Sequence, residues 1–343
     1  AYDGVKHLAE TNFNDGGLFI EKYIEKARHV EVQIFGNRFG EVKALGERDC
    51  SIQRRNQKVI EESPAPNLST VVRKKMALAA ERLPNVAGYR SAGTVEHGVT
   101  EEVLGVDLVE WMIKEAADEL RQLEKRVTDP SGHSIQARIY AEDSHQQFRP
   151  SAGRVDSVVL SESARNETWV QDGMEITTMY DPMLAKIIVH GRDRKEAIQK
   201  LIKALTVTKF YGLTTNLSYL KNLLKESSVQ QGDVYTRMLE KYTPAEHTIE
   251  VLDGGVQSTV QDWPGRTGHW DVGVPPCGPM DPYAFRLGNK LLGNADDASG
   301  IELTLRGGTY SFRNDMWFCL TGADMQAKLD GQLVPLYTPF YAK

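Results

Sequence analysis

ERDCSIQRRNQKV, residues 47–59, sets Glu47, Arg48, Asp49, Arg54, Arg55 and Lys58 around one cysteine, Cys50, and Ile52. Opposed charges at this density are by default a solvated loop whose ion pairs contribute little. The interleaved amides of Gln53, Asn56 and Gln57 argue for more, because they offer the donors and acceptors that a nucleotide base or another polar ligand uses. Fixed Arg and Lys groups shielded from water are also what a phosphate or bicarbonate site needs, with carboxylates nearby to orient them or hold a divalent metal.

Any such basic site is local. Over 343 residues the chain carries 41 Lys and Arg against 47 Asp and Glu, a net charge of −6, so no nucleic-acid or anionic-membrane surface is advertised. The length suits two or three domains. No apolar run approaches the roughly 20 residues of a membrane span. Cys50, Cys277 and Cys319 are odd in number and far apart, without zinc-site or disulfide spacing, which suits a reducing cytoplasm. The opening AYDGVKHLAETNFNDGG carries no export signal, and its abrupt start suggests an upstream part.

In HVEVQIF (29–35) Val30, Val32 and Ile34 alternate with His29, Glu31 and Gln33, predicting a half-buried strand with a polar face. GNRFG then turns the chain into a second strand, EVKALGERD, with the charged stretch just past it. Helices are expected over LSTVVRKKMALAAERL (68–83), with Ser69 as N-cap and Val72, Met76, Ala79 and Leu83 as its buried stripe, and over GVDLVEWMIKEAADELRQLEK (105–125). A third is RKEAIQKLIKALTV (194–207), with Ile198, Leu201, Ile202 and Leu205 inward. HSIQARIYAED and AKIIVHG read as strands. Near KYTPAEHTIEV (241–251) the composition shifts to short apolar runs punctuated by Gly, Pro and Asp, a boundary followed by a β-rich domain with one helix, PYAFRLGNKLLG. In that domain Asp281 reads as a helix N-cap and Asp330-Gly331 as a turn, while Tyr180 and Asp181 earlier on shape a loop.

FIEKYIEKARHVEVQIFG (19–36) followed by GERDCSIQRRNQKVIEESPAP (46–66) resembles the biotin carboxylase component of biotin-dependent carboxylases, an ATP-grasp fold. YRSAGTVE, TEEVLGVDLVEW, QARIYAED, RPSAGRV, MYDPMLAKIIVHG and GLTTNLSYL continue the resemblance in the same order, over about two thirds of the chain. Beyond it, the run from IEVLDGG to KLLGN, with GIELTLRGG and LTGADMQAKLDGQLVP, is similar to the start of a urea carboxylase carboxyltransferase domain. Asn56 in RRNQKV supports that branch, since many other biotin carboxylases have His there. The expected class is therefore α+β, mixed: an ATP-grasp biotin carboxylase fold followed by a β-rich carboxyltransferase domain. Residues 1–20 would be a remnant of the ATP-grasp lid subdomain, 21–246 the C-terminal ATP-grasp region, and 247–343 the N-terminal part of the carboxyltransferase domain.

The resemblance implies that ATP and Mg2+ or Mn2+ convert bicarbonate to carboxyphosphate, that biotin on a carrier domain takes the carboxyl group, and that urea receives it as allophanate. Glu21, Lys22 and Ile24 match the family's adenine-binding positions, with His29, Gln53 and Asn56 in the same nucleotide pocket. Lys58 matches a lysine near phosphate and bicarbonate, Arg138 the arginine that stabilises carboxyphosphate and the biotin enolate, and Glu96 a metal ligand. In the second domain Asp281, Tyr283, Asn289, Glu302 and Asp324 are the polar candidates for orienting urea and moving its proton. Each has a plainer alternative as a surface charge, ion-pair partner or cap. Guanidine, close to urea in shape, is the competing substrate, and a non-catalytic scaffold the competing class. An allophanate hydrolase is a further expected partner.

The chain also departs from the pattern. In GTVEHGVTEE (93–102) two motifs adjoin that relatives separate by a hairpin and strand bearing a second metal carboxylate, an Asn, the bicarbonate-binding Arg and a catalytic Glu. The phosphate-covering glycine loop, the second half of the carboxyltransferase domain and the biotinylation motif are expected elsewhere in a longer polypeptide. A fragment kept as a binding or assembly module is the other explanation.

Overall fold

The computed structural model describes residues 2–94, 97–127, 129–244 and 248–343. The chain divides into two compact units between Pro244 and Ala245. Among the described residues no helix is long and apolar enough to cross a membrane.

Helix α1 (Tyr2–Phe13) opens the first unit and buries none of its residues. An irregular, largely exposed stretch leads to the strands of a seven-stranded sheet: β1 (Val30–Gly36), β2 (Val42–Arg54), β3 (Gln57–Ser63), β4 (Ser91–Ala92), β5 (His133–Tyr140), β6 (Arg165–Thr168) and β7 (Met183–Gly191). Their order is β6-β7-β5-β3-β2-β1-β4, and every neighbouring pair is antiparallel. The charged stretch of the sequence is not a loop past β2. It is the end of β2, a two-residue turn at Arg55–Asn56, and the start of β3, with Gln53 opposite Lys58 and Arg54 opposite Gln57. Arg55 and Asn56 have φ of 49° and 65°, the left-handed pair that matches the twist of a tight hairpin.

Period two divides the sheet chemically. Ile60 lies opposite Ala137 and Ala137 opposite Ile187, and this face joins the main apolar core. Glu61 lies opposite Gln136, and Arg138 opposite Lys186, so the other face is polar and carries the candidate site. On the apolar side packs α5 (Arg194–Val207), opened by Asp193, whose carboxylate accepts from Glu196 N. Its Ile198, Leu201 and Leu205 are buried as the periodicity predicts, with Ala197 and Ala204 beside them, and Ile202 packs partly buried at the margin.

Two helices differ from expectation. Ser69 does cap α2 (Thr70–Ala87), but Val72 and Leu83 are exposed and the buried residue is Pro84. Polar contacts hold the inner face instead: Arg73 donates to Glu47 at 2.5 Å and to Ala65 O at 3.1 Å, while Glu81 accepts from Ala44 N at 3.0 Å. The helix expected over 105–125 is cut short. After α3 (Gly98–Leu104), α4 (Leu108–Ala116) ends at Ala117, and Asp118 and Gln122 in left-handed backbone separate it from a four-residue turn of helix, Leu123–Arg126. At the join in GTVEHGVTEE, β4 pairs with β1 only at Phe35 and Gly36, and α3 follows from Gly98.

The second unit is β-rich. Ile249–Asp253 pairs with Thr309–Phe312, Gln257–Gln261 with Gly300–Thr304, and Met316–Phe318 with Phe340–Ala342. A hairpin joins Lys328–Leu329 to Gln332–Leu333 through left-handed Asp330 and Gly331, the expected turn. The expected helix is α6 (Pro282–Leu291).

Candidate active site

The polar face of the sheet gathers residues from β1, β2, β3 and β5 around two carboxylates. Glu61, 1% exposed, accepts from Arg138 Nε at 3.0 Å and Nη2 at 2.7 Å, and from Gln136 Nε2 at 3.1 Å. Its other oxygen faces Lys58 Nζ at 3.9 Å and the Cys50 thiol at 3.5 Å. Glu31 on β1 takes Lys58 Nζ at 2.8 Å, His29 Nε2 at 2.9 Å and Arg48 Nη2 at 3.3 Å. Lys58 thus stands between Glu31 and Glu61, and Arg138 reaches the cluster from β5.

Neighbouring groups fix these positions. The Gln53 amide donates to Cys50 O at 2.8 Å and lies 2.8 Å from His29 Nδ1. With Nδ1 accepting from that amide, the His29 proton sits on Nε2, directed at Glu31. Arg48 is fully buried: Nη1 donates to Gln33 at 2.8 Å and Thr100 at 3.0 Å, Nη2 donates to Thr94 at 2.7 Å, and Nε has no partner among the described residues. Gln33 also accepts from Thr94. The polar face read in His29, Glu31 and Gln33 is therefore half-buried, with Gln33 fully enclosed, and it forms one wall of the site.

The electrostatics follow from burial and these partners. Burial works against the charge of Glu31, but the hydrogen bond and charge of Lys58, with Arg48 and His29, outweigh it and hold the carboxyl below its ordinary 4.5. For Arg138 burial opposes the cation, and Glu61 more than restores it, so its pKa is raised. Burial, reinforced by Glu61 and Glu31, pushes the Cys50 thiol far above its ordinary value. Cys50 is thereby kept as a neutral thiol donor, not a nucleophile.

Lys58, Arg138, His29 and Gln53 come together as one cluster. Asn56 sits at the exposed tip of the hairpin two residues from Lys58. Glu21, Lys22 and Ile24 are exposed in the irregular stretch before β1, away from these contacts. Glu96 lies outside the described residues. Among the described residues no group of three His, Cys, Asp or Glu is placed to hold a cation. Glu31 and Glu61, already engaged by Lys58, Arg48 and Arg138, do not fit as a metal cage. Sequence reasoning missed Glu61 and reached Glu31 and Arg48 only as a polar strand face and part of the charged stretch; the signal available for Glu61 was an adjacent pair of acids, Glu61-Glu62, directly after Val59 and Ile60.

In the second unit four of the five candidates make hydrogen bonds within that unit. Asp281 caps α6, accepting from Ala284 N at 2.9 Å, and Glu302 accepts from Met280 N at 2.6 Å. Buried Asn289 donates to Ala298 O at 2.8 Å, and Asp324 accepts from Gln326 N at 2.7 Å within its own turn. Tyr283 is exposed. In the first unit, exposed Tyr180 and Asp181, which accepts from Met183 N at 2.9 Å, shape a loop as expected.

The chain is similar to known proteins along its whole length. Residues 2–98 match the carbamoyl-phosphate synthase L chain ATP binding domain, 136–241 the biotin carboxylase C-terminal domain, and 272–343 the carboxyltransferase domain, subdomain A and B. Over 364 aligned positions the chain is 44% identical to urea amidolyase from Saccharomyces cerevisiae, with all of the chain and 20% of that protein covered. The crystal structure of the Kluyveromyces lactis urea carboxylase superposes with a TM-score of 0.81 at 40% identity, covering 100% of this chain and 31% of that one. The biotin carboxylase domain of the Hydrogenobacter thermophilus 2-oxoglutarate carboxylase, in complex with MgADP, ADP and bicarbonate, gives 0.64 at 35% identity over 70% of this chain and 58% of that one. The chain thus carries matches to biotin carboxylase and carboxyltransferase domains, in that order. Along its whole length it is homologous to urea amidolyase and urea carboxylase. It spans about a fifth of the length of the yeast relative.

Proposed function

We propose that this chain is the part of an ATP-dependent, biotin-dependent urea carboxylase that joins the biotin carboxylase site to the start of the carboxyltransferase domain, and that the whole polypeptide converts urea to allophanate. The observation that carries the reading is the meeting of Lys58 and Arg138 on the two oxygens of Glu61. Bicarbonate is a poor electrophile, and its activation by ATP depends on positioning and on cationic charge at the transferring phosphoryl group. Lys58 and Arg138 supply two such cations, fixed and partly shielded from water, where the anionic intermediate carboxyphosphate forms. Arg138, as the fork-shaped one, suits a planar carboxylate or enolate. Biotin on a carrier domain would accept the carboxyl group at its ureido nitrogen and deliver it to urea.

His29 and Gln53 would hold the nucleotide from the site's wall and Asn56 from the hairpin tip. Glu21, Lys22 and Ile24 would meet its base from the stretch before β1. We assign residues 1–20 to the end of the lid subdomain, 21–246 to the ATP-grasp region and 247–343 to the carboxyltransferase domain. Urea would be oriented in the second unit by some of Asp281, Tyr283, Asn289, Glu302 and Asp324. Expected partners are the carrier domain and an allophanate hydrolase. The setting is the cytoplasm, consistent with three unpaired thiols.

The test is Lys58→Gln and Arg138→Gln in the full-length polypeptide. Bicarbonate-dependent ATP hydrolysis should fall about a hundredfold in each, with nucleotide still bound; near-normal turnover would refute the assignment.

A further inference from the structure

Arg54 is the last residue of β2, one step before the left-handed pair Arg55–Asn56. Its guanidinium forms an ion pair with Glu142 and lies 4.0 Å from the centroid of the Phe148 ring. Phe148 has a φ of 59°, directly after Gln147 at 54°. A bulky side chain in left-handed backbone is costly, and such a conformation persists where the surroundings over-determine it. Here the Phe148 ring carries Arg54, and Tyr219 packs against it at 5.0 Å with an interplanar angle of 87°. Two tight loops, each with two consecutive left-handed residues, are therefore clasped through one guanidinium. On the opposite strand of the hairpin, the Tyr140 hydroxyl donates to Lys58 O at 3.2 Å. The hairpin tip is held from both strands by the end of β5 and the loop that follows it.

We propose that Arg54 is a positioning residue: clasped by Glu142 and Phe148, it fixes the hairpin tip so that Asn56 and Lys58 present themselves to the nucleotide and its phosphates. The inference rests on the function proposed above for that hairpin. Lysine would not substitute, because the clasp uses both the planar face, against the ring, and a fork nitrogen, against the carboxylate.

The experiment uses Arg54→Lys and Glu142→Gln, singly and together, in the full-length polypeptide. Amide hydrogen exchange at residues 55–58 should accelerate about tenfold in each variant while the melting temperature changes little. The KM for ATP should rise about fivefold with kcat within about twofold. Because the two side chains act as one unit, the double variant should be no worse than the worse single. Unchanged exchange at the tip overturns the clasp, and faster exchange with an unchanged KM overturns its positioning role. Should Arg54→Lys fail to fold, Glu142→Gln, which keeps the stacking, decides the same point. Absence of turnover in the unsubstituted enzyme would refute the proposed function alone; exchange and direct ATP binding would still decide the clasp.

Discussion

One oxygen of Glu61 accepts both the Nε and the Nη2 of Arg138, at 3.0 and 2.7 Å, although the two residues are 77 positions apart in the chain. The adjacency of β3 and β5 brings them together, and it also sets Lys58, three residues before Glu61, beside the same carboxylate.

Glu61→Gln leaves Arg138 largely buried without its counter-charge. Removing one partner of a buried pair costs about 3–5 kcal/mol. Chemical denaturation of the full-length protein should show that loss, and bicarbonate-dependent turnover should fall with it. A change below about 1 kcal/mol would mean that solvent screens the pair.

Asn56→Gly separates the backbone of the hairpin from its proposed ligand contact. Glycine accepts the left-handed φ of 65° at least as readily as Asn, so stability should stay within about 0.5 kcal/mol. Loss of the side-chain amide should raise the KM for ATP. An unchanged KM would remove Asn56 from the nucleotide site.

β5, α5 and the Asp330-Gly331 turn are legible from local pattern: strand propensity for β5, period 3.6 for α5, and a polar Asp-Gly pair for the turn, whereas the Arg55–Asn56 turn and the Asp193 cap are not. The inner face of α2 is not. What holds that helix is Arg73 on Glu47 and Glu81 on the Ala44 amide, contacts that apolar periodicity cannot register. Within the site, Lys58 and Arg138 were reached only through the order of family motifs, because their meeting depends on strand order, not on spacing. Glu31 and Gln33 were read correctly as a polar strand face. The full burial of Gln33 is not legible there, since Gln33 meets buried Arg48 of the neighbouring strand.

Glu62, on the other face of β3, accepts from His133 at 2.8 Å and from Arg194 at 2.6 and 3.0 Å. Burial opposes its charge, but those partners outweigh it and depress its pKa from the ordinary 4.5. A depressed carboxyl contributes stability that is present above its unfolded value and lost as pH falls through the folded value. Denaturation followed from pH 7 downward should therefore show the gap between wild type and Glu62→Gln constant above about pH 5 and narrowing below about 4.5. A gap independent of pH would exclude Glu62 as a source of acid sensitivity.

Asp281 gives a decisive contrast in the second unit. As an N-cap, its replacement by Ala should cost about 1 kcal/mol and by Asn almost nothing. If Asp281→Asn keeps stability and urea-dependent turnover, Asp281 is a cap alone. Turnover lost at unchanged stability would place its carboxylate in the chemistry.

The proposed function has the full-length polypeptide carry carbon from bicarbonate to urea through the site around Lys58 and Arg138. The most direct measurement is incorporation of isotopically labelled bicarbonate into acceptor, with ATP present and with urea or guanidine supplied. Labelled allophanate is expected from urea, far less product from guanidine, and none from either in Arg138→Gln. Label transferred to guanidine in preference to urea, or to urea undiminished in Arg138→Gln, would contradict it.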